Sequence, residues 1–154
     1  MKIRWKSLII NLIIPLAVGG LSAFLIRNSM EIYSQIQKPF LAPPPILFPI
    51  VWTILFLLMG VSTYILSASP GKETDNALVI YGLQLAVNFI WPLVFFIGQM
   101  YWLALAVIVI LWILILAMIY SFHKISPLAG YLQIPYLLWV TLATYLNLMI
   151  AILN

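Results

Sequence analysis

The chain has 154 residues, of which 66% are hydrophobic and 6% charged, and its seven Lys/Arg against three Asp/Glu leave a net charge of +4. So little charge cannot cover a soluble domain of this size, which excludes a water-soluble globular fold. The basic residues are few and scattered among the connections, so they read as topology determinants rather than as a nucleic-acid surface. The absence of cysteine excludes disulfides and thiolate ligands.

At roughly 20 apolar residues per span and about 2–8 per connection, the length holds about five or six membrane helices in one domain. The N-terminal MKIRWKSLIINLIIPLAVGGLSA has the basic start and small residues of a signal peptide. Its apolar run continues through AFLI to Arg27, too long for a signal core. A first span over about 8–26 is predicted instead. Pro15 is tolerable there if neighbouring helices satisfy the freed carbonyl, and Gly19 and Ala23 form a small face for close packing. Residues 27–46, RNSMEIYSQIQKPFLAPPPI, are the longest polar connection. Connections of that length usually carry function.

The second span is expected over about 47–66, ending before SASPGKETDN, a turn and helix-start signal. A third covers about 77–97, and the short GQMY connection leads to a fourth over 101–122. HKISP separates this from a fifth over 128–153, giving an all-α, five-helix transmembrane bundle. With five spans, Lys2, Arg4, Lys6, Lys72 and Lys124 share one face, and Arg27 and Lys38 the other. The positive-inside rule then puts the N-terminus inside and the 27–46 connection outside. Cysteine-accessibility mapping that placed 27–46 in the cytoplasm would overturn this orientation.

No Asp, Glu, Lys or Arg falls inside a predicted span, which disfavours ion-coupled pumping and proton relays. His123, the single histidine, sits at a helix end beside Lys124 and reads as a solvated interface residue rather than a metal ligand. No metal site, Ser/His/acid set or phosphate loop can be assembled. What the spans do carry is aromatic and amide. Tyr81, Gln84, Asn88, Trp91 and Phe95 recur at spacings of three and four on the third helix. Interhelical hydrogen bonding and ligand contact both fit its two amides. Pro135, Tyr136, Trp139, Ala143, Leu146 and Asn147 form a stripe on the fifth helix, and Trp52, Phe56 and Met59 one on the second. Trp5, Trp102 and Trp112 read as interface anchors. Three such faces could line a pocket for a flat hydrophobic molecule held by stacking and one or two hydrogen bonds.

KPFLAPPPILFPIVW at 38–52 with MG at 59–60, YGLQLAVNFIWPLVFF at 81–96 and PLAGYLQIPYLLWVTLATYLN at 127–147 resemble, in order and spacing, the TspO/MBR family of translocator proteins. The resemblance spans nearly the whole chain and implies a bacterial, multi-pass membrane member. It also implies a homodimer, with a pocket opening toward the 27–46 connection as its lid. Porphyrins such as protoporphyrin IX would be its ligands, with benzodiazepine-type compounds as synthetic ones and no required cofactor. The site residues it implies are Ala23, Tyr33, Trp52, Phe56, Asn88, Trp91, Trp102, Trp139, Ala143 and Leu146.

Some bacterial members of the family are associated with light-dependent porphyrin breakdown, which would make Trp52 and Trp139 photochemical residues. A metal-free porphyrin stacked on tryptophans fits a chain that lacks a conventional haem ligand. Passive transport of tetrapyrroles is the alternative function, and a scaffold whose aromatic faces only pack helices is a third. The family usually has tryptophan where this chain has Phe40 or Leu41. The cholesterol motif of the animal proteins needs a basic residue that NLMIAILN, residues 147–154, does not contain.

Overall fold

A computed structural model describes residues 2–154 as an all-helical bundle. Its elements are α1 (Trp5–Ile26), a 3-10 turn (Arg27–Ser29), α2 (Met30–Gln35), α3 (Leu47–Leu66), α4 (Lys72–Pro92), a π-helical turn (Leu93–Ile97), α5 (Tyr101–Ile125), α6 (Pro127–Tyr131) and α7 (Ile134–Leu153). They make five helical stretches long and apolar enough to cross a membrane: Trp5–Gln35, Leu47–Leu66, Lys72–Ile97, Tyr101–Ile125 and Pro127–Leu153. Twenty residues of α3 alone reach about 30 Å, the thickness of a hydrocarbon core. The outer surface is correspondingly apolar, with Ile13, Leu21, Ile110 and Ile113 among its exposed side chains.

Three boundaries differ from the sequence expectation, each for a local reason. The 27–46 connection is helical over its first nine residues, so Tyr33 sits on α2 and only 36–46 is irregular. RNSMEIYSQ is polar but contains no breaker, and the helix stops only as the chain approaches Pro39. On the third stretch the helix begins at Lys72 rather than near 77. Gly71, at φ +154°, supplies a turn that L residues rarely adopt, and Glu73 and Asp75 then favour the positive N-terminal end of the helix. The fifth stretch is broken at Leu132–Gln133, where Pro135 enters the first turn of α7. Proline fits that first turn because its missing N–H would have no helical partner there.

Helices α1 and α3, α4 and α5, and α5 and α7 make the closest pairings. Gly60 is what lets α1 approach α3, because a Cβ there would collide with the Asn11 carbonyl and Leu12 Cα. Away from the lid the bundle is filled: Met59, Leu66, Ala77, Ile115, Met118, Phe122 and Ala129 are fully buried. Gln133 ties this half together, its Nε2 donating to the Leu58 carbonyl at 3.1 Å and to Ser62 Oγ at 2.8 Å. Ser62 in turn donates to the Ala129 carbonyl at 2.9 Å.

Candidate functional site: an aromatic cavity

At the lid end the bundle is not filled. A cavity of about 290 Å³ lies between α1, α2, α3, α4 with its π-helical turn, and α7. The α1 wall is made of small side chains, Gly19, Ser22 and Ala23, with Ile26 above them. A Cβ on Gly19 would overlap the Phe56 ring, so glycine here keeps space for that ring. From α2, Met30 and Tyr33 close one corner. Trp52 and Phe56, one turn apart on α3, stack at 5.6 Å with 27° between ring planes and form a flat aromatic wall. Trp139, Ala143 and Leu146 line it from α7, next to α3, since Trp52 meets Tyr136 at 6.1 Å and Phe48 meets Trp139 at 5.7 Å, and Asn88, Trp91, Phe95 and Phe96 complete the lining from α4 and the turn.

Pro92 accounts for the turn. A proline removes a helical donor and crowds the carbonyl four residues back, and the chain answers with wider π hydrogen bonding, Gly98 N–H to the Leu93 carbonyl at 2.9 Å. Phe95 and Phe96 both lie in this widened turn, at 4.8 Å from each other, and both meet Tyr33, at 6.0 and 5.2 Å. Phe48, in the first turn of α3, joins the same cluster through Tyr33 at 6.5 Å and reaches Trp139 at 5.7 Å. These aromatics form the ceiling of the cavity.

Polar groups in the walls are few and mostly spoken for. The Tyr136 hydroxyl donates to Gln84 Oε1 at 2.7 Å and accepts from Asn88 Nδ2 at 2.7 Å. Gln84, fully buried, is therefore an interhelical fastener, whereas Asn88 makes that bond and also lines the cavity. Trp91 Nε1 donates to Asn147 Oδ1 at 2.9 Å, and Asn147 Nδ2 donates to the Tyr101 carbonyl at 2.9 Å. That chain fixes the Trp91 indole in the wall. Trp139 is different, since its buried Nε1 has no hydrogen-bond partner among the described residues. A buried N–H without a partner carries a desolvation cost.

Nine of the ten residues expected at the site line this one cavity: Ala23, Tyr33, Trp52, Phe56, Asn88, Trp91, Trp139, Ala143 and Leu146. Trp102 is the exception. It stands on α5, which contributes nothing to the lining, and is 61% exposed on the outer face of the bundle. The altered positions Phe40 and Leu41 also lie away from the cavity, at 99% and 59% exposure, and of the 27–46 connection expected as a lid only Met30 and Tyr33 line it. Sequence reasoning did not single out Phe48, Phe96 or Ile150 as site residues. Ile150 follows Leu146 by one turn and could have been added by helical spacing. Phe96 could not, because only the π turn brings it beside Phe95.

A family model described as the TspO/MBR family matches residues 11–153. The chain is 37% identical over 155 residues to the tryptophan-rich protein TspO of Chlorobaculum tepidum, covering 99% of this chain and 98% of that one. It is 38% identical to the tryptophan-rich sensory protein of Cereibacter sphaeroides, over 76% of this chain and 73% of the relative. It is also 35% identical to the human translocator protein, over 82% and 76% respectively.

Proposed function

This chain belongs to the TspO/MBR family, and from that premise we propose that its cavity binds flat hydrophobic tetrapyrroles such as protoporphyrin IX. The observation that carries the reading is the wall set itself: three tryptophans and four phenylalanines around one largely apolar space. Stacking on indole and phenyl faces supplies affinity for a planar π system, and it needs no metal. The protein is a multi-pass integral membrane protein, so such a ligand can reach the cavity from the bilayer.

Within this reading Trp52 and Trp139 are positioned for photochemistry. A bound porphyrin excited by light can take an electron from an adjacent indole or pass its energy to oxygen, and both tryptophans line the cavity. The functional unit is a homodimer. Gly82 and Ala86 give α4 a small-residue surface beside a shallow groove lined by Leu21 and Phe89. The N-terminus and the 2–6 basic cluster face the cytoplasm, which places the lid outside.

Sensing or degradation suits the structure better than transport, because the half of the bundle beyond Tyr136 and Gln84 is filled with fully buried side chains and offers no continuing path. Purified protein loaded with protoporphyrin IX and illuminated with and without oxygen tests the reading. Loss of the porphyrin absorbance with growth of a new product, dependent on the protein, is the expected result. A porphyrin spectrum that bleaches at the same rate without protein would remove the degradation role. Flux of porphyrin across proteoliposomes would favour transport instead.

A further inference from the structure

Four side chains form a one-way chain of hydrogen bonds that ends at the cavity. It starts at Met59 Sδ, which accepts from Gln84 Nε2 at 3.8 Å. A thioether cannot donate, so it holds the NH2 side of the Gln84 amide and leaves Oε1 for Tyr136. The Tyr136 hydroxyl donates to that oxygen at 2.7 Å, and its own oxygen then accepts from Asn88 Nδ2, also at 2.7 Å. Met59, Gln84 and Tyr136 are fully buried, so solvent does not compete for their groups. Running the chain the other way would set Gln84 Oε1 against the sulfur and leave a buried carbonyl without a donor, which is costly.

The consequence falls on Asn88. Its Nδ2 and Oδ1 are the two ends of one planar amide, so holding the first fixes the second. Asn88 lines the cavity and is 5% exposed. Its Oδ1 has no hydrogen-bond partner among the described residues, because Tyr136 takes the nitrogen. The buried side-chain atoms that lack a partner are the Tyr81 hydroxyl, Gln133 Oε1 and Trp139 Nε1. The Asn88 oxygen is not among them, so it keeps open surface, and the space beside Asn88 is the cavity. Other polar groups of the lining are engaged or undecided. Asn147 Oδ1 is taken by Trp91, and Ser22 Oγ donates to the Gly19 carbonyl at 3.0 Å. The Tyr33 hydroxyl can donate or accept, whereas an amide oxygen only accepts.

We propose that Asn88 Oδ1 is a fixed acceptor, and that it selects, among flat hydrophobic ligands, those that carry an N–H donor. The proposal rests on the cavity being the ligand site. Stacking on Trp52 and Phe56 depends on the face of a ring system and does little to tell an N–H from an ether oxygen. The Asn88 oxygen does tell them apart. It gains a hydrogen bond from the N–H and meets the ether with lone pair against lone pair, in surroundings too apolar to screen the mismatch. Gln84 and Tyr136 are positioning residues in this account. Without the Tyr136 hydroxyl the Asn88 amide can turn and offer the ligand its NH2 instead.

The test uses the full chain in detergent and two matched probes, carbazole and dibenzofuran. Both are flat tricyclic molecules of one outline, with an N–H in the first where the second has an ether oxygen. Calorimetric titration gives the affinity ratio for wild type, Asn88→Leu and Tyr136→Phe, each checked for a cooperative melt. Asn88→Leu supplies the baseline ratio without the acceptor. Wild type is expected to favour carbazole over that baseline roughly twofold to tenfold, the worth of one hydrogen bond. Tyr136→Phe is expected to lose most of the preference, with dibenzofuran bound more tightly than by wild type as the freed amide turns. That gain is one that mere loosening of the bundle would not give. Should Asn88→Leu fail to fold, the same preference measured against Tyr136→Phe decides. A ratio that is the same in wild type and the folded variants, or no binding of either tricycle, overturns the acceptor assignment. Protoporphyrin IX titrated into the same wild-type sample separates the two readings: saturable quenching there keeps the cavity as the ligand site, and its absence removes that reading as well.

Discussion

Trp52, Trp91 and Trp139 share a cavity but not a chemical situation. The N–H of Trp91 is bound to Asn147, Trp52 stacks on Phe56, and the Trp139 N–H is buried without a partner. Of the three, Trp91 is the indole fixed by a hydrogen bond across helices, while Trp52 and Trp139 line the cavity without one. Replacing Trp52 or Trp139 by Phe keeps an aromatic wall and removes the readily oxidised indole. Each variant is expected to bind protoporphyrin IX within about a factor of ten, the loss of one hydrogen bond or less, and to degrade it several-fold more slowly under light. Degradation at the wild-type rate in both variants, followed by absorbance, would show that the indoles are not the reacting groups. The amides divide in a similar way. Periodicity put Gln84 and Asn88 on one face of the third helix, but it could not say what they bond. That depended on Tyr136, which is 48 residues away from Asn88 in the chain.

At the scale of elements, the sequence was most informative where physical signals are local and strong. The five spans follow from apolar runs, and the Tyr81–Phe95 stripe is buried as its spacing implied, with Trp91 half-buried among the fully buried members. What escaped was structure set by a proline's effect on its neighbours. Nothing in the sequence marks Pro92 as more than a proline within a span, yet it precedes the π turn that carries Phe95 and Phe96 into the ceiling. Likewise the polarity of 27–35 read as a loop, although polar residues at a membrane surface can extend a helix as well as end one. Close helix approach was legible only as small residues, and the structure assigns them. Gly60 is where α3 touches the α1 backbone, so Gly60→Val should force the two helices apart. A cost of about 1–3 kcal/mol is expected for such overpacking, seen as a lower thermal midpoint in detergent. A midpoint equal to wild type would mean that the α1–α3 contact is looser than described.

For the whole molecule, the division into a filled half and a hollow half is the central feature. The filled half, centred on Met59, Ile115 and Phe122, holds the helices in register, and the hollow half gathers nine expected site residues from four of the five spans. A bundle built this way is a receptacle closed at one end, with an aromatic ceiling of Tyr33, Phe48, Phe95 and Phe96 at the other. The central claim is that this receptacle is where a porphyrin binds, and Ala143 offers a direct way to fill it. Ala143 faces the cavity from the middle of α7, so Ala143→Trp would place a large side chain in the ligand space without touching the filled half. Titration of wild type and Ala143→Trp with protoporphyrin IX, followed by tryptophan fluorescence, decides the matter. Saturable quenching in wild type, weakened at least tenfold in a variant that still melts cooperatively, is the predicted result. Equal saturable quenching in both proteins, or none in wild type, would contradict it.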